Sequence, residues 1–408
     1  IDGVFNHVGI PFWAFQDVKT RGRHSPYADW FIITAFDNPA TPQNEFQYRG
    51  WYGVPDLPEL REDQDGPPPS LREHLHRIVR RWMDPNGDGD PSDGIDGWRL
   101  DVAEMVSMNF WREFSRWVRE INPRAYLTAE IWWEDYPRNV MFNAAPWIGP
   151  DGFDAVMNYR FADAMYKFFN DEVRQITAGE LDGILARIRS DYGLETSYVL
   201  QNLMDSHDME RLASAVVNPD RWIDHGSSVQ HNPGFNVRKP NAFERQKQKV
   251  IVTFQFTYLG APYIYYGDEV GMWGADDPDC RKPMVWPEMV YEPERHHPLG
   301  RPRQPDSVFV DEEMVGFYKT MIRLRQNHPA LRRGTYRTVL ADNETGVFAF
   351  RRELEGDTVL AVFNGSTETS PVPPALLEEG PGRWTLIFGD NESPEWIRGK
   401  SAKIYHRD

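Results

Sequence analysis

Gly97-Trp98-Arg99-Leu100-Asp101-Val102-Ala103 is the stretch that decides the fold of this 408-residue chain. It follows a loop rich in aspartate and glycine and precedes a helical pattern that begins near Ser107, so the order is loop, strand and helix. Arg99 and Asp101 are two positions apart, and the period of a strand puts both side chains on one face. A cation beside a carboxylate favours the ionised, nucleophilic form of that carboxylate. For this stretch alone, a buried structural ion pair is an equally good interpretation.

Composition narrows the class of protein. The formal net charge of -17 argues against nucleic-acid and anionic-membrane partners. The single cysteine, Cys280, excludes an intrachain disulfide and leaves the localisation open between the cytoplasm and the periplasm or secretion. The many Trp and Tyr residues suit stacking on sugar rings, and they suit an ordinary core equally well. The longest uncharged run, residues 250–266, is interrupted by Gly260-Ala261-Pro262 and predicts a buried helix followed by a strand, not a membrane span.

Strands alternate with helices over most of the chain, which predicts a parallel sheet, and the number of units favours a closed (β/α)8 TIM barrel. The first predicted strand ends near His7. The other five cover residues 95–102, 125–132, 153–159, 198–204 and 262–266. Helices are predicted near residues 70–82, 107–121, 174–189, 243–258 and 312–327, with Ser70 capping the first of them. Six strands are found where a barrel needs eight, so we expect the chain to lack the first two β/α units.

The domain organisation follows from this pattern. Residues 1–7 and 70–330 are predicted to form the partial barrel. Residues 8–69 are irregular and rich in Pro, Gly and aromatic residues, and they are too many for an ordinary connection, which predicts a small inserted domain. Residues 331–408 change to short β-rich runs separated by turns, which predicts a C-terminal antiparallel β-sandwich.

Three acids, Asp101, Glu130 and Asp208, each fall at the C-terminal end of a predicted strand, where barrel enzymes place their catalytic groups. Three converging acids are a costly way to build a core. They are well suited to cleaving a glycosidic bond, because one carboxylate attacks while a protonated one donates to the leaving oxygen. His7 and His207 stand at strand ends beside these acids, so we expect them to donate hydrogen bonds to sugar hydroxyls instead of being ordinary loop residues.

Four motifs together resemble, in order, the four signature regions of the α-amylase family, glycoside hydrolase family 13. They are Asp2-Gly3-Val4-Phe5-Asn6-His7, Gly97-Trp98-Arg99-Leu100-Asp101, Glu130-Ile131-Trp132 and Asp205-Ser206-His207-Asp208. The resemblance covers nearly the whole chain. It implies a (β/α)8 barrel with a small domain inserted after the third strand and a β-sandwich at the end, and it implies retaining cleavage of α-glucosidic bonds.

The same resemblance implies a role for each matching residue. Asp101 would be the nucleophile, Glu130 the acid/base and Asp208 the stabiliser of the transition state. His7, Arg99 and His207 would line the subsite of the sugar being attacked.

Finer features are similar to the neopullulanase and cyclomaltodextrinase branch of that family. They are Trp98, the run Phe110-Trp111-Arg112-Glu113-Phe114, and Tyr266-Gly267-Asp268-Glu269-Val270-Gly271 with Asp277-Pro278-Asp279-Cys280-Arg281. The branch implies that Asp277 and Arg281 contact glucose units on the non-reducing side and that Trp132 stacks near the leaving-group subsites.

Two departures leave the bond and the substrate open. Val54-Pro55-Asp56-Leu57-Pro58 resembles the motif of the inserted domain only loosely, and its Asp56 points towards α-1,6 specificity. After the nucleophile motif, Glu104-Met105 replaces the Asn-Glu pair that a neopullulanase would have.

A calcium site is predicted in the acidic loop, residues 84–93. Asp84, Asn86 and Asp88 alternate and are followed by Gly89, as in the first half of a calcium-binding loop, although Ile95 stands where the closing Glu would be. Asp90 and Asp93 are further candidate ligands. A solvated acidic turn is the alternative, and a bound Ca2+ would be structural, not catalytic.

The functional expectation is a retaining hydrolase that acts on α-1,4 bonds of maltooligosaccharides, cyclodextrins or pullulan, with action on α-1,6 bonds left open. An α-glucosidase, a 4-α-glucanotransferase and a catalytically silent glucan-binding protein are the alternatives, and the intact acids argue against the last. We expect an α-glucan oligosaccharide as the binding partner, no nucleic acid, no membrane and no organic cofactor. A homodimer formed through a preceding N-terminal domain is left open.

Overall fold

The computed structural model describes residues 1–38, 40–378, 382–390 and 393–407. The chain divides into two compact units, Ile1–Met157 and Asn158–Asp408. A search of the described residues for a helix long and apolar enough to cross a membrane finds none. The predicted domain boundaries at residues 7, 69 and 330 stay a prediction.

The first unit is built on a parallel four-stranded sheet. Its strands, in sheet order, are Asp2–Gly3, Gly97–Leu100, Tyr126–Ala129 and Ala155–Val156. The α-helices of this unit are Trp13–Arg21, Pro69–Met83 and Met108–Ile121. Two small antiparallel pairs complete it, Ile33–Ala35 with Gln47–Tyr48 and Trp133–Asp135 with Val140–Met141.

The helix Met108–Ile121 shows how this sheet is covered. Ser107 caps it, because its Oγ accepts a hydrogen bond from the N–H of Phe110 at 3.3 Å. Its buried face includes Trp111 and Phe114, whose rings lie 6.3 and 5.2 Å from the ring of Phe5. The apolar side of the helix therefore closes over the sheet and fixes the strands that carry the candidate site.

The start of the helix Pro69–Met83 differs from the prediction. Ser70 was expected to be its cap, but the helix begins one residue earlier, at Pro69. The fixed φ of proline suits the first helical position, where its missing N–H costs nothing. The hydroxyl of Ser70 instead accepts a hydrogen bond from Trp30 Nε1 at 2.8 Å.

The second unit contains one parallel pair of short strands, Gln201–Asn202 with Ala261–Pro262. Its α-helices are Tyr159–Met165, continued by the π-helix Tyr166–Asn170, and then Ala178–Tyr192, Leu194–Ser197, Leu212–Ala215, Ala242–Thr257, Glu312–Asn327, Pro329–Arg333 and Ala375–Glu378. Parallel strands thus overlap all six predicted strands but are shorter, and the last of them, Ala261–Pro262, shares only Pro262 with the predicted range 262–266. Closure into a barrel stays a prediction.

The C-terminal part of this unit is an antiparallel five-stranded sheet. Its strands, in sheet order, are Thr335–Ala341, Val347–Leu354, Asp357–Asn364, Ser401–Arg407 and Thr385–Phe388. Two further antiparallel pairs are Ser370–Pro371 with Trp396–Ile397 and Glu294–His296 with Pro302–Asp306. The helix Ala242–Thr257 packs on the large sheet, with the ring of Phe254 4.8 Å from that of Phe363. The predicted antiparallel pairing is confirmed, and the arrangement as a sandwich stays a prediction.

Candidate active site

Asp101 comes directly after the strand Gly97–Leu100, and its backbone continues the sheet by donating to the carbonyl of Gly3 at 3.1 Å. The next residue, Val102, has a φ of 38° and a ψ of 49°. This left-handed conformation is rare for a β-branched residue. It turns the N–H of Val102 to the side chain of Glu130, where it donates to Oε2 at 3.1 Å. The strained turn therefore links the backbone beside one candidate catalytic acid to the carboxylate of the other.

The guanidinium of Arg99 holds three carboxylates of the first unit. Its Nη1 donates to Asp101 Oδ1 at 2.6 Å and to Asp2 Oδ1 at 2.9 Å, and its Nη2 lies 2.8 Å from Glu130 Oε2. The Glu130 side chain is only 8% exposed and that of Arg99 16%. Burial lowers the pKa of Arg99, but the charges of Glu130, Asp2 and Asp101 outweigh burial and raise it above its usual value. Arg99 and Asp101 therefore do not form an isolated structural ion pair. They belong to a cluster in which one arginine contacts three carboxylates.

His7 lies in the same unit and faces this cluster. Its ring stacks on that of Trp51 with centroids 4.9 Å apart, and its Nδ1 lies 3.2 Å from Asn6 Nδ2. Burial lowers the pKa of His7, and the charges of Asp101 and Glu59 oppose that effect. A neutral imidazole has one N–H to donate, which is what a hydrogen bond to a sugar hydroxyl requires.

Two more side chains lie close to the cluster in sequence. Trp132 is buried and stacks on Trp133 with centroids 5.1 Å apart. Glu104, which departs from the expected motif, has a pKa raised to about 7, mainly by burial and also by the charges of Glu130 and Asp101. The sequence marked Glu104 as unusual, but it did not predict that this acid would be buried beside the catalytic candidates.

In the second unit, Asp208 is held by a histidine and an arginine. Its Oδ2 lies 3.0 Å from His207 Nε2, and its Oδ1 accepts from Arg281 Nη2 at 2.8 Å. Arg281 Nε also donates to the carbonyl of His207 at 2.8 Å and pairs with Asp277 Oδ1 at 2.8 Å. The structure therefore brings four of the predicted site residues together.

A buried ion pair anchors the loop that carries Asp208. Asp205 Oδ2 accepts from the N–H of Leu212 at 2.6 Å. Arg211 is fully buried, and its Nη1 lies 3.3 Å from Asp268 Oδ1. These contacts tie Asp205 and the segment that follows Asp208 into the core, which restrains the loop that carries Asp208.

Sequence reasoning missed a group of buried acids in the second unit. Burial is the main cause that raises the pKa of Glu210 to about 7, that of Asp224 to about 9 and that of Asp276 to about 6. The charge of Asp208 contributes to the raised pKa values of Asp224 and Asp276. Glu210 lies two residues after Asp208 and was the one available signal, since Asp224 and Asp276 are further along the chain.

The acidic loop of residues 84–93 folds on itself. Asp84 accepts from the N–H groups of Gly87 and Gly89, and the side chains of Asn86, Asp88 and Asp90 each accept from the N–H two residues on. Such turns leave further lone pairs on each carboxylate. Calcium binding by Asp84, Asn86, Asp88, Asp90 and Asp93 stays a prediction.

Eight of the predicted site residues thus fall into two sets, one within each unit. Asp101, Glu130, Arg99 and His7 form the first set, and Asp208, His207, Asp277 and Arg281 form the second. The first set brings two carboxylates close together on one guanidinium, and a retaining glycosidase uses two neighbouring carboxyl groups as nucleophile and acid/base. The roles of these residues, and the meeting of the two sets, stay predictions.

Comparison with known proteins shows which family the chain resembles over most of its length. The family model described as "Alpha amylase, catalytic domain" matches residues 1–334. Neopullulanase 2 of Thermoactinomyces vulgaris is 35% identical over 404 residues, which are 99% of this chain and 57% of that protein. A cyclomaltodextrinase of a Bacillus species is 35% identical over 364 residues, 89% of this chain and 53% of that protein. The chain spans about half the length of the curated relatives it matches.

Solved structures of a cyclomaltodextrinase and a debranching enzyme also superpose on this chain. A cyclomaltodextrinase superposes with a TM-score of 0.72 at 31% identity, covering 99% of this chain and 59% of that one. A debranching enzyme of Nostoc punctiforme superposes with a TM-score of 0.68 at 27% identity, covering 99% of this chain and 74% of that one. With the family match, these similarities imply a TIM barrel followed by a C-terminal β-sheet domain.

Proposed function

Because the chain belongs to the α-amylase family, glycoside hydrolase family 13, we propose that the protein containing it is a retaining glycosidase of α-glucans. The substrates are maltooligosaccharides, cyclodextrins or pullulan, with α-1,4 bonds cleaved and α-1,6 bonds accepted as well. The names of the similar neopullulanase, cyclomaltodextrinases and maltogenic amylase support this substrate class. The fold belonging to this proposal is a (β/α)8 barrel that lacks its first two β/α units here, with residues 8–69 as an inserted domain and a C-terminal sandwich.

One observation carries the proposal: Asp101 and Glu130 both contact the guanidinium of Arg99, so the two carboxylates that a retaining mechanism needs lie close together. Asp101 attacks the anomeric carbon, and Glu130 gives its proton to the oxygen of the leaving sugar, so that a glycosyl-enzyme ester forms. Water then attacks the ester while Glu130 takes a proton from it, and the sugar leaves with its original anomeric configuration. The retaining mechanism predicts that the two carboxyl groups lie about 5–5.5 Å apart.

The remaining residues bind and position the sugar. Asp208 stabilises the positive charge that develops on the ring, and His207 and Arg281 hold its two oxygens. His7 and His207 donate to sugar hydroxyls, Trp132 stacks near the leaving-group subsites, and Asp277 binds on the non-reducing side. Calcium, when bound in the acidic loop, supplies only structural stability.

The experiment compares Asp101→Asn with Glu130→Gln on β-cyclodextrin, pullulan and maltosyl fluoride, using the whole protein that contains these residues. We expect both variants to lose cleavage of the two glucans by a factor of about 10^3 or more. Fluoride leaves without a proton, so Glu130→Gln should still release it from maltosyl fluoride while Asp101→Asn should not. Glu134→Gln, an exposed acid four residues away, is the matched control and should keep full activity.

Product analysis completes the test. NMR of the first product should show the α-anomer, and its identity from each glucan separates hydrolysis from transfer. Inverted products would refute the assignment of Asp101 as nucleophile, and so would a fully active Asp101→Asn variant.

A further inference from the structure

We propose that His328, Asp357 and His406 form a Zn2+ site in the C-terminal part of the second unit. His328 ends the helix Glu312–Asn327, Asp357 begins the strand Asp357–Asn364, and His406 lies near the end of the strand Ser401–Arg407. In the register of these two strands His406 faces Val359, so Asp357 and His406 are diagonal neighbours on one face of the sheet. Three elements distant in sequence thus direct metal-binding side chains to one point.

The distances between the side chains support this assignment. Asp357 Oδ1 lies 3.3 Å from His328 Nδ1 and 3.2 Å from His406 Nε2, and all the potential ligand atoms of the three residues lie within 4.8 Å of one another. Ligand atoms about 2.0–2.1 Å from a tetrahedral Zn2+ lie about 3.3 Å from one another. A charge-assisted hydrogen bond between imidazole and carboxylate is usually shorter, about 2.7–2.9 Å. The observed spacing therefore fits the edge of a coordination tetrahedron better than a pair of direct hydrogen bonds.

The second oxygen of Asp357 is already oriented. Its Oδ2 accepts from the backbone N–H of Ala330 at 2.7 Å, which leaves Oδ1 to face the two imidazoles. Such a hydrogen bond to the distal oxygen is typical of a carboxylate that binds a metal through one oxygen. Ala330 lies in the short helix Pro329–Arg333, so the same contact fixes the segment that follows His328.

The donor set selects the ion. Two imidazole nitrogens and one carboxylate oxygen suit Zn2+, whereas Ca2+ and Mg2+ prefer oxygen ligands alone. The three side chains are 17%, 11% and 20% exposed, so a water molecule can complete the tetrahedron. A bound ion would join the end of one helix to two neighbouring strands of the sheet and would stabilise the fold, independently of the proposed glycosidase activity.

The experiment titrates the purified full chain, stripped of metals, with Zn2+ in a calorimeter and records Tm with and without the ion. We expect one equivalent to bind, and an excess about a hundredfold over the dissociation constant should raise Tm by about 3 °C. His406→Gln and Asp357→Asn should weaken binding by at least about tenfold. The amide oxygen of Asp357→Asn can still accept from Ala330, so this variant should stay folded without zinc. His231→Gln removes an exposed histidine of the same unit and is the matched control.

The outcomes separate the proposal from its alternative, a triad held by hydrogen bonds alone. Loss of zinc binding in the two cluster variants, with full binding in His231→Gln, supports the site. Absence of stoichiometric zinc binding overturns it. An equal loss in His231→Gln, or a Tm of the unsubstituted chain that does not change with zinc, also overturns it.

Discussion

Replacing Glu104 by Gln should stabilise the first unit most strongly above pH 7. The Glu104 side chain is mostly buried, and its Oε2 has no hydrogen-bond partner within the described part of the chain. Burial raises its pKa from the ordinary 4.5 to about 7, and the neighbouring charges of Glu130 and Asp101 add to the effect of burial. Gln has the same shape and no charge, so it should remove the electrostatic cost and keep the packing.

The sign and the magnitude follow from proton linkage. Below about pH 4.5 Glu104 is protonated in both states, so it has no effect on stability through its charge. Between about pH 4.5 and about pH 7 the unfolded chain releases the proton while the folded chain keeps it, and the free energy of unfolding falls as pH rises. The two pKa values differ by about 2.5, which corresponds to about 3 kcal/mol in full above pH 7.

The assay is urea unfolding, followed by tryptophan fluorescence at several pH values, of the unsubstituted chain, Glu104→Gln and the control Glu120→Gln. Glu120 is an exposed acid of the same unit. The advantage of Glu104→Gln should be close to zero near pH 4.5 and should grow to about 3 kcal/mol near pH 8, whereas Glu120→Gln should follow the unsubstituted chain. An advantage that does not change with pH would refute the reasoning, because only titration of Glu104 makes it grow.

Two further predictions concern Asp208 and the acidic loop. Arg281→Met should lower kcat by about tenfold or more, because Asp208 Oδ1 loses the guanidinium that holds it. Arg281→Lys should restore part of the loss. Unchanged kcat in Arg281→Met would contradict this role. Added Ca2+ should raise Tm of the unsubstituted chain by a few degrees without changing the turnover of folded enzyme, and Asp88→Ala should abolish the rise. A rise that persists in Asp88→Ala would place calcium elsewhere.

Local sequence patterns predicted the elements whose residues obey one period. The helix Glu312–Asn327 has its predicted bounds, and the helix at Met108 begins after the predicted position, Ser107. The strand Ala155–Val156 is shorter than predicted, because Asn158 caps a helix at once by accepting from the N–H of Phe161. That cap was readable in the sequence but was hidden by the apolar run around it.

The β-rich runs predicted within residues 331–408 did not include the strand Ser401–Arg407, and the reason is a different one. It contains Lys403, which is only 2% exposed although lysine is almost never fully buried. Its stem lies in the sheet and its Nζ reaches the carbonyl of Ser393, so the charge leaves the apolar interior. A pattern that counts lysine as a surface residue cannot predict such a strand.

In the candidate site, too, the residues within local motifs were predicted, whereas the contacts that depend on the fold were not. Asp101, Glu130 and Asp208 were found because each stands in a short motif at the end of a strand. The contact of Arg281 with Asp208 was not predictable, because it joins loops that only the fold brings together. The burial of Glu104 likewise depends on the tertiary packing around it, which no local period encodes.

Negative charge in excess of its partners is the feature common to both sets of site residues. One guanidinium faces three carboxylates in the first unit, and the charge of Asp208 raises the pKa of Asp224 in the second. This excess opposes folding, and in the proposed function it would stabilise the positive charge that develops on the sugar ring during glycosidic cleavage. Turnover of Glu104→Gln tests whether the charge of Glu104 contributes to catalysis. A variant that is more stable and equally active would show that Glu104 destabilises the fold without aiding catalysis. A variant that is more stable but slower would show that its negative charge helps to stabilise the transition state.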